Sequence, residues 1–138
     1  MVANNIDNWE QYLTHEDYAY LIQYIENIKN GISNDKMIIL SGPSRTGKST
    51  LKKNIISYLS DELCGEYLMS CDFIYNETIK PLVFFCGIDE ISSRKKTNQA
   101  VINFIKYKQS FIADTNNVER VNNKLLEHSK IIMMTHVF

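Results

Sequence analysis

Met37-Ile-Ile-Leu-Ser-Gly-Pro-Ser-Arg-Thr-Gly-Lys-Ser-Thr50 is the stretch that decides how the chain is read. Met37 to Leu40 is an unbroken apolar run, as a parallel strand buried on both faces requires. Ser41 to Gly47 reads as a turn. From Lys48 a helix is expected to about Leu63, with Leu51, Ile55, Ile56 and Leu59 facing inward. Between strand and helix, Gly42-Pro43-Ser44-Arg45-Thr46-Gly47-Lys48-Ser49 fits G-x-x-x-x-G-K-[ST] at every fixed position. The glycines let the backbone curl so that successive N–H groups point at one centre. The start of the helix adds its positive end, which makes a seat for phosphate oxygens. Lys48 is placed to reach the β- and γ-phosphates of a nucleoside triphosphate. Ser49 is placed to offer its hydroxyl to Mg²⁺. Gly42, Pro43, Ser44, Arg45, Thr46, Gly47, Lys48, Ser49 and Thr50 are therefore the expected nucleotide cradle, with Mg²⁺ as the companion ion.

Outward from that stretch, the pattern is of apolar strands alternating with helices. Upstream, Thr14 is a helix cap followed by acids, and Tyr18, Leu21, Ile22, Ile25 and Ile28 recur at helical spacing as far as Lys29. Asn30-Gly31 closes that helix. Residues 1 to 14 are polar and weakly patterned and are expected to be frayed; residues 1–17 are read as a lead-in to a domain spanning 18–138. Downstream, Cys64-Gly65 is expected to break the helix, and Tyr67 to Tyr75 to form a strand. Leu82 to Ile88 is a strongly apolar strand, Ser92 to Thr97 a basic loop, and Asn98 to Ser110 a helix with Val101, Ile102, Ile105 and Tyr107 inward. Asp114-Thr-Asn-Asn reads as a turn between two short strands. Ile131 to Met134 is a last buried strand. The expected fold is α/β: a three-layer α/β/α P-loop sandwich with a mostly parallel sheet.

Composition agrees and narrows the classes. The chain has 138 residues, 44% of them hydrophobic, which supports one core. The formal net charge of -1 announces no general affinity for nucleic acid. No apolar run is long enough to span a membrane, and Met1 to Asp7 lack the basic-then-apolar layout expected of a signal peptide. Cys64, Cys71 and Cys86 are odd in number and without metal spacing, so they read as reduced thiols of a cytoplasmic or nuclear protein.

Two further motifs carry chemistry. Asp89-Glu90 ends the strand from Leu82, and Asp89 lies 40 residues beyond Ser49. In a P-loop protein an acid at the end of a neighbouring strand completes the magnesium site, a role for Asp89. Glu90 is then positioned to polarise an attacking water. Thr135-His136 ends the last strand. A polar side chain at the tip of a strand beside the P-loop can sense the γ-phosphate or hold that water, and His136 is the candidate.

In order and spacing, these three motifs resemble those of the superfamily 3 helicases, AAA+-type ATPases of small DNA and RNA viruses, poxviruses and phage or plasmid primase–helicases. The resemblance covers residues 18 to 138 and is fullest around Tyr20-Leu-Ile-Gln-Tyr-Ile-Glu-Asn-Ile-Lys-Asn-Gly and Lys36-Met-Ile-Ile-Leu-Ser-Gly-Pro. It implies ATP hydrolysis in a homo-oligomeric ring acting on single-stranded nucleic acid, DNA more than RNA. It places a DNA-contacting hairpin at Phe104 to Ser110 and Ala113 to Lys124, where Lys106, Lys108, Arg120 and Lys124 are candidate backbone contacts. In that family the third motif ends in asparagine, where His136 stands here. The family's arginine finger lies beyond the last residue of this sequence. By the resemblance, the chain is a partial copy or an ATPase completed by a neighbour or partner. Met37-Ile-Ile-Leu-Ser-Gly-Pro-Ser with Gly47-Lys48-Ser49-Thr50-Leu51 also looks like the P-loop of guanylate kinases. Those have glycine where Arg45 stands and an arginine-rich acceptor segment absent between Leu51 and Lys80. Nucleotide kinases usually lack a glutamate such as Glu90. A switch that binds nucleotide without turnover is the non-enzymatic alternative.

Overall fold

Residues 5–67, 80–85, 88, 95–106 and 109–138 are described by a computed structural model. The apolar run forms β1 (Met37–Ser41), buried at every position. It lies inside a sheet of order β2-β3-β4-β1-β5, made with β2 (Cys64–Tyr67), β3 (Leu82–Phe85), β4 (Ser110–Thr115) and β5 (Ser129–Met133). All pairings among these strands are parallel, with Leu40 opposite Asp114 on one side and Ile132 on the other. The chain thus starts in the sheet's interior, leaves for the β2 edge, steps back through β3 and β4, and crosses to β5.

Alternation along the strands sorts the core into two layers. Ile38, Leu40, Leu82, Phe84, Ile112 and Ile132 face α1 (His15–Lys29) and α2 (Lys48–Leu59). Met37, Ile39, Val83, Phe85, Phe111 and Ala113 face α3 (Lys95–Lys106) and Leu125 of the short α4 (Asn123–Glu127). This is the three-layer α/β/α sandwich expected from the pattern. Thr14 caps α1 by accepting from the Asp17 N–H at 3.1 Å, and Gly31 follows it at φ 73°. Tyr24 ties α1 to the sheet: its hydroxyl donates to the Lys36 carbonyl at 2.8 Å and accepts from the Phe111 N–H at 3.1 Å. Burial of that phenol pushes its pKa up.

Several boundaries differ from the sequence reading. Residues 5–14 are not frayed: Ile6–Gln11 is a 3-10 turn capped by Asn5, and Ile6, Trp9 and Leu13 are buried in the core under α2. Their polar neighbours hide the pattern, because a 3-10 turn this short shows no amphipathic period. Helix α2 ends at Leu59, where Ser60 turns to φ 87°, and Cys64-Gly65 opens β2 instead of breaking a helix. Helix α3 begins at Lys95, inside the expected basic loop, with Val101, Ile102 and Ile105 buried as expected. Asp114 and Thr115 belong to β4, and the chain continues into a 3-10 turn (Val118–Arg120) and α4, not a second strand. Ile88 is helical and buried. β5 is an edge strand in which only Ile132 is fully buried. Cys64 is buried. Among the described residues, no helix is long and apolar enough to cross a membrane.

Candidate functional site: a phosphate-binding cleft

The P-loop leaves β1 clamped by both neighbouring strands. The Gly42 N–H donates to the Thr115 carbonyl of β4 at 3.2 Å, and the Met134 N–H beyond β5 donates to the Ser41 carbonyl at 2.8 Å. A Cβ on Gly42 would collide with the Met134 carbonyl, so this close approach requires glycine. Arg45 then takes the left-handed region at φ 66°, with its carbonyl accepting from the Phe138 N–H at 2.8 Å. Thr46 is buried and donates to the Pro43 carbonyl at 2.8 Å. Gly47 closes the loop at φ 85° as the cap of α2 and supplies no side-chain acceptor to the helix's first N–H groups. That end of the helix therefore keeps its donors for an anion.

The Lys48 ammonium folds over the loop, donating to the carbonyls of Gly42 at 2.5 Å and Pro43 at 2.8 Å. Burial holds its pKa below the usual lysine value, and the Asp114 carboxylate works in the opposite direction. Around it opens a cleft of about 540 Å³, lined by Ser44, Arg45, Gly47, Lys48, Ser49 and Thr50 on one side and by Asp114, Thr115 and Asn116 on the other. The cleft lies at the carboxyl end of the sheet, where open α/β sheets bind ligands.

The second wall is the part the sequence reading missed. β4, not β3, is the neighbour of β1 on this side, so the strand tip that borders the P-loop is Thr115-Asn116. Thr115 Oγ1 donates to the Asn117 carbonyl at 3.1 Å and accepts from the Asn117 N–H at 3.0 Å, which fixes the turn and leaves Asn116 exposed on the cleft. The sequence does carry a clue: an apolar run, Phe111 to Ala113, ending in Asp-Thr-Asn. Asp and Asn favour turns, and that preference masks the end of a strand.

His136 is placed elsewhere. β5 does flank β1, but His136 lies beyond its end and does not line the cleft. It packs on Tyr12, with ring centroids 4.8 Å apart, and on Phe138 at 4.7 Å. Phe138 in turn meets Trp9 edge-on at 6.0 Å. This aromatic group buttresses the outside of the loop, since a Cβ on Gly47 would come within 2.6 Å of the Trp9 ring. Trp9 is anchored by its Nε1–H, which donates to the buried Asn54 of α2 at 2.8 Å. The lone tryptophan in a polar segment is the sequence signal for this support.

Asp89, Glu90 and Lys108 lie outside the described residues. Of the segment expected to form the DNA hairpin, the described residues 104–106 end α3 and Ser110–Thr115 is an interior strand. Lys106, Arg120 and Lys124 are exposed. Lys106 precedes β4 and Arg120 follows it, so they lie toward opposite ends of a strand about 20 Å long.

The architecture has known counterparts. A Thermotoga maritima RuvB, a Holliday junction branch migration motor, superposes with a TM-score of 0.66 at 17% identity, over 98% of this chain and 48% of the RuvB chain. Caenorhabditis elegans PCH-2 gives 0.63 at 14% identity over 96% and 46%. A katanin structure concerned with self-assembly gives 0.58 at 16% identity over 98% and 51%. The chain shares with these structures the P-loop α/β fold, a parallel five-stranded sheet with helices on both faces. This chain spans about half the length of each of these. No family model and no curated protein matches the sequence.

Proposed function

We propose that the chain binds Mg²⁺–ATP in the P-loop cleft and hydrolyses it as one subunit of a motor acting on nucleic acid. The observation that carries this is the convergence of Lys48, the uncapped start of α2, Ser49 and Asn116 on one cleft. In this reading Lys48 exchanges the carbonyls of Gly42 and Pro43 for phosphate oxygens, a charge-assisted bond stronger than the one it gives up. Ser44, Arg45, Thr46 and Thr50 complete the cradle.

The donors suit magnesium. Among the described residues no cluster of three or more His, Cys, Asp or Glu could cage a metal. Magnesium in phosphate sites takes only one or two protein oxygens and leaves the rest to phosphate and water. Ser49 is one such donor, and Asp89 is assigned as the other. When bound, the ion neutralises phosphate charge as it develops. Glu90 takes the water's proton. Asn116 takes the water- or phosphate-sensing role that the sequence reading gave to His136, because its side chain stands at the strand tip bordering the cleft.

The motor half of the proposal rests on the helicase resemblance and on the RuvB motor's use of the same fold. Single-stranded DNA is the preferred partner, ahead of RNA. A homo-oligomeric ring, or a partner protein, would supply the arginine finger. Lys106, Lys108, Arg120 and Lys124 are assigned as backbone contacts; the separation of Lys106 from Arg120 means they would touch different stretches of the strand. The test is steady-state ATP hydrolysis with and without single-stranded DNA or RNA, for the natural protein, Lys48→Ala and Glu90→Gln. Nucleic-acid-stimulated turnover lost in both variants supports the motor. Turnover or nucleotide binding that survives in Lys48→Ala overturns the P-loop assignment. Binding without turnover under every condition favours the switch.

A further inference from the structure

The cleft carries one group that a phosphate site does not ask for. Asp114 is half-buried at the end of β4 and lines the cleft beside Ser49 and Lys48. Its direction is set by strand alternation: Ile112, two residues back, packs in the layer covered by α2, so Asp114 points to that same side. A smaller cavity confirms the placement, since Asp114 shares its walls with Lys48, Lys52, Leu40 and Phe84. The Lys48 ammonium senses this carboxylate. A polyphosphate seated against Lys48 would therefore meet a carboxylate of like charge across a partly desolvated gap, where such repulsion is stronger than in water.

A carboxylate beside phosphate is unfavourable unless a cation lies between them. We propose that Asp114 is a further carboxylate for the divalent cation that accompanies the nucleotide, and that it makes nucleotide affinity depend on that cation. Without the ion Asp114 repels the phosphates, and with it the same charge holds the complex. This rests on the P-loop reading above, but adds a residue and a dependence which that reading lacks. The competing role, a counter-ion that only neutralises Lys48 or Lys52, makes a different prediction: removing the charge then strengthens nucleotide binding whether or not magnesium is present.

The experiment is calorimetric titration of the natural protein and Asp114→Asn with the β,γ-imido analogue of ATP, once in excess Mg²⁺ and once in EDTA. The expected result is binding roughly tenfold tighter in EDTA and several-fold weaker in Mg²⁺ for the variant, so that the ratio of the two affinities collapses. Binding that tightens in both conditions, or changes in neither, overturns the proposal. If Asp114→Asn does not fold, Asp114→Ser is put through the same two titrations and read by the same ratio. Failure of the natural protein to bind the analogue in either condition overturns the nucleotide reading and this one with it. Normal binding with an unchanged ratio overturns this one alone.

Discussion

Replacing Gly47 by alanine tests how the P-loop is supported. Two costs add at this position. The backbone stands at φ 85°, where a side chain costs about 1–2 kcal/mol. The new methyl would lie 2.6 Å from Trp9 Cη2 and 3.1 Å from Phe138 Cε2, an overpacking worth about 1–3 kcal/mol. The sum, about 2–5 kcal/mol, is a large part of the about 5–15 kcal/mol by which a domain is stable. The two costs separate in a double-mutant cycle. Trp9→Phe removes the six-membered part of the indole that the methyl strikes, at its own cost in burial and in the bond to Asn54. In that background Gly47→Ala should lose about 1–2 kcal/mol of its penalty and keep the backbone cost. Urea unfolding without nucleotide, monitored by circular dichroism, measures all four proteins. Additivity of the two substitutions to within about 0.5 kcal/mol would refute the contact between Trp9 and the loop as the source of the strain.

Asn116→Ala should slow ATP turnover about 10–100-fold with little change in nucleotide affinity, whereas His136→Ala should leave turnover near normal and cost at most about 1 kcal/mol of stability; single-turnover kinetics on both variants distinguishes the two strand tips, and the reverse pattern restores the histidine. Tyr24→Phe strands the Phe111 N–H and the Lys36 carbonyl and should destabilise by about 1–3 kcal/mol at neutral pH. Because burial raises the Tyr24 pKa, that advantage over phenylalanine is fully present below about pH 10, where the unfolded phenol stays protonated, and is lost as pH rises beyond it. Unfolding of the pair across that range checks the sign.

The sequence discloses the P-loop because each fixed position of the motif answers a local demand. Gly42 and Gly47 stand where a side chain has no room, and Lys48 opens α2. It discloses β1, α1 and the inward face of α3 for a similar reason, as their apolar periods are long enough to read. What it hides depends on partners distant in sequence. Strand order is such a property: β4 and β5 both contain apolar runs and both flank β1, and nothing local says which tip borders the cleft. Asp114-Thr115-Asn116 reads as a turn because its residue types favour turns, while the pairing of Asp114 and Thr115 with Leu40 and Ser41 overrides that preference. Trp9 is lost in a polar segment because its partners, Asn54 and Gly47, lie some 40 residues away.

The packing of Trp9 has a practical consequence. It is the chain's sole tryptophan, and its ring rests against the closing glycine of the phosphate loop. The protein's tryptophan emission therefore comes from the back wall of the candidate site. Any rearrangement of the loop on taking up an anion will change the colour or yield of that emission, so ligands can be screened by fluorescence on the unlabelled chain.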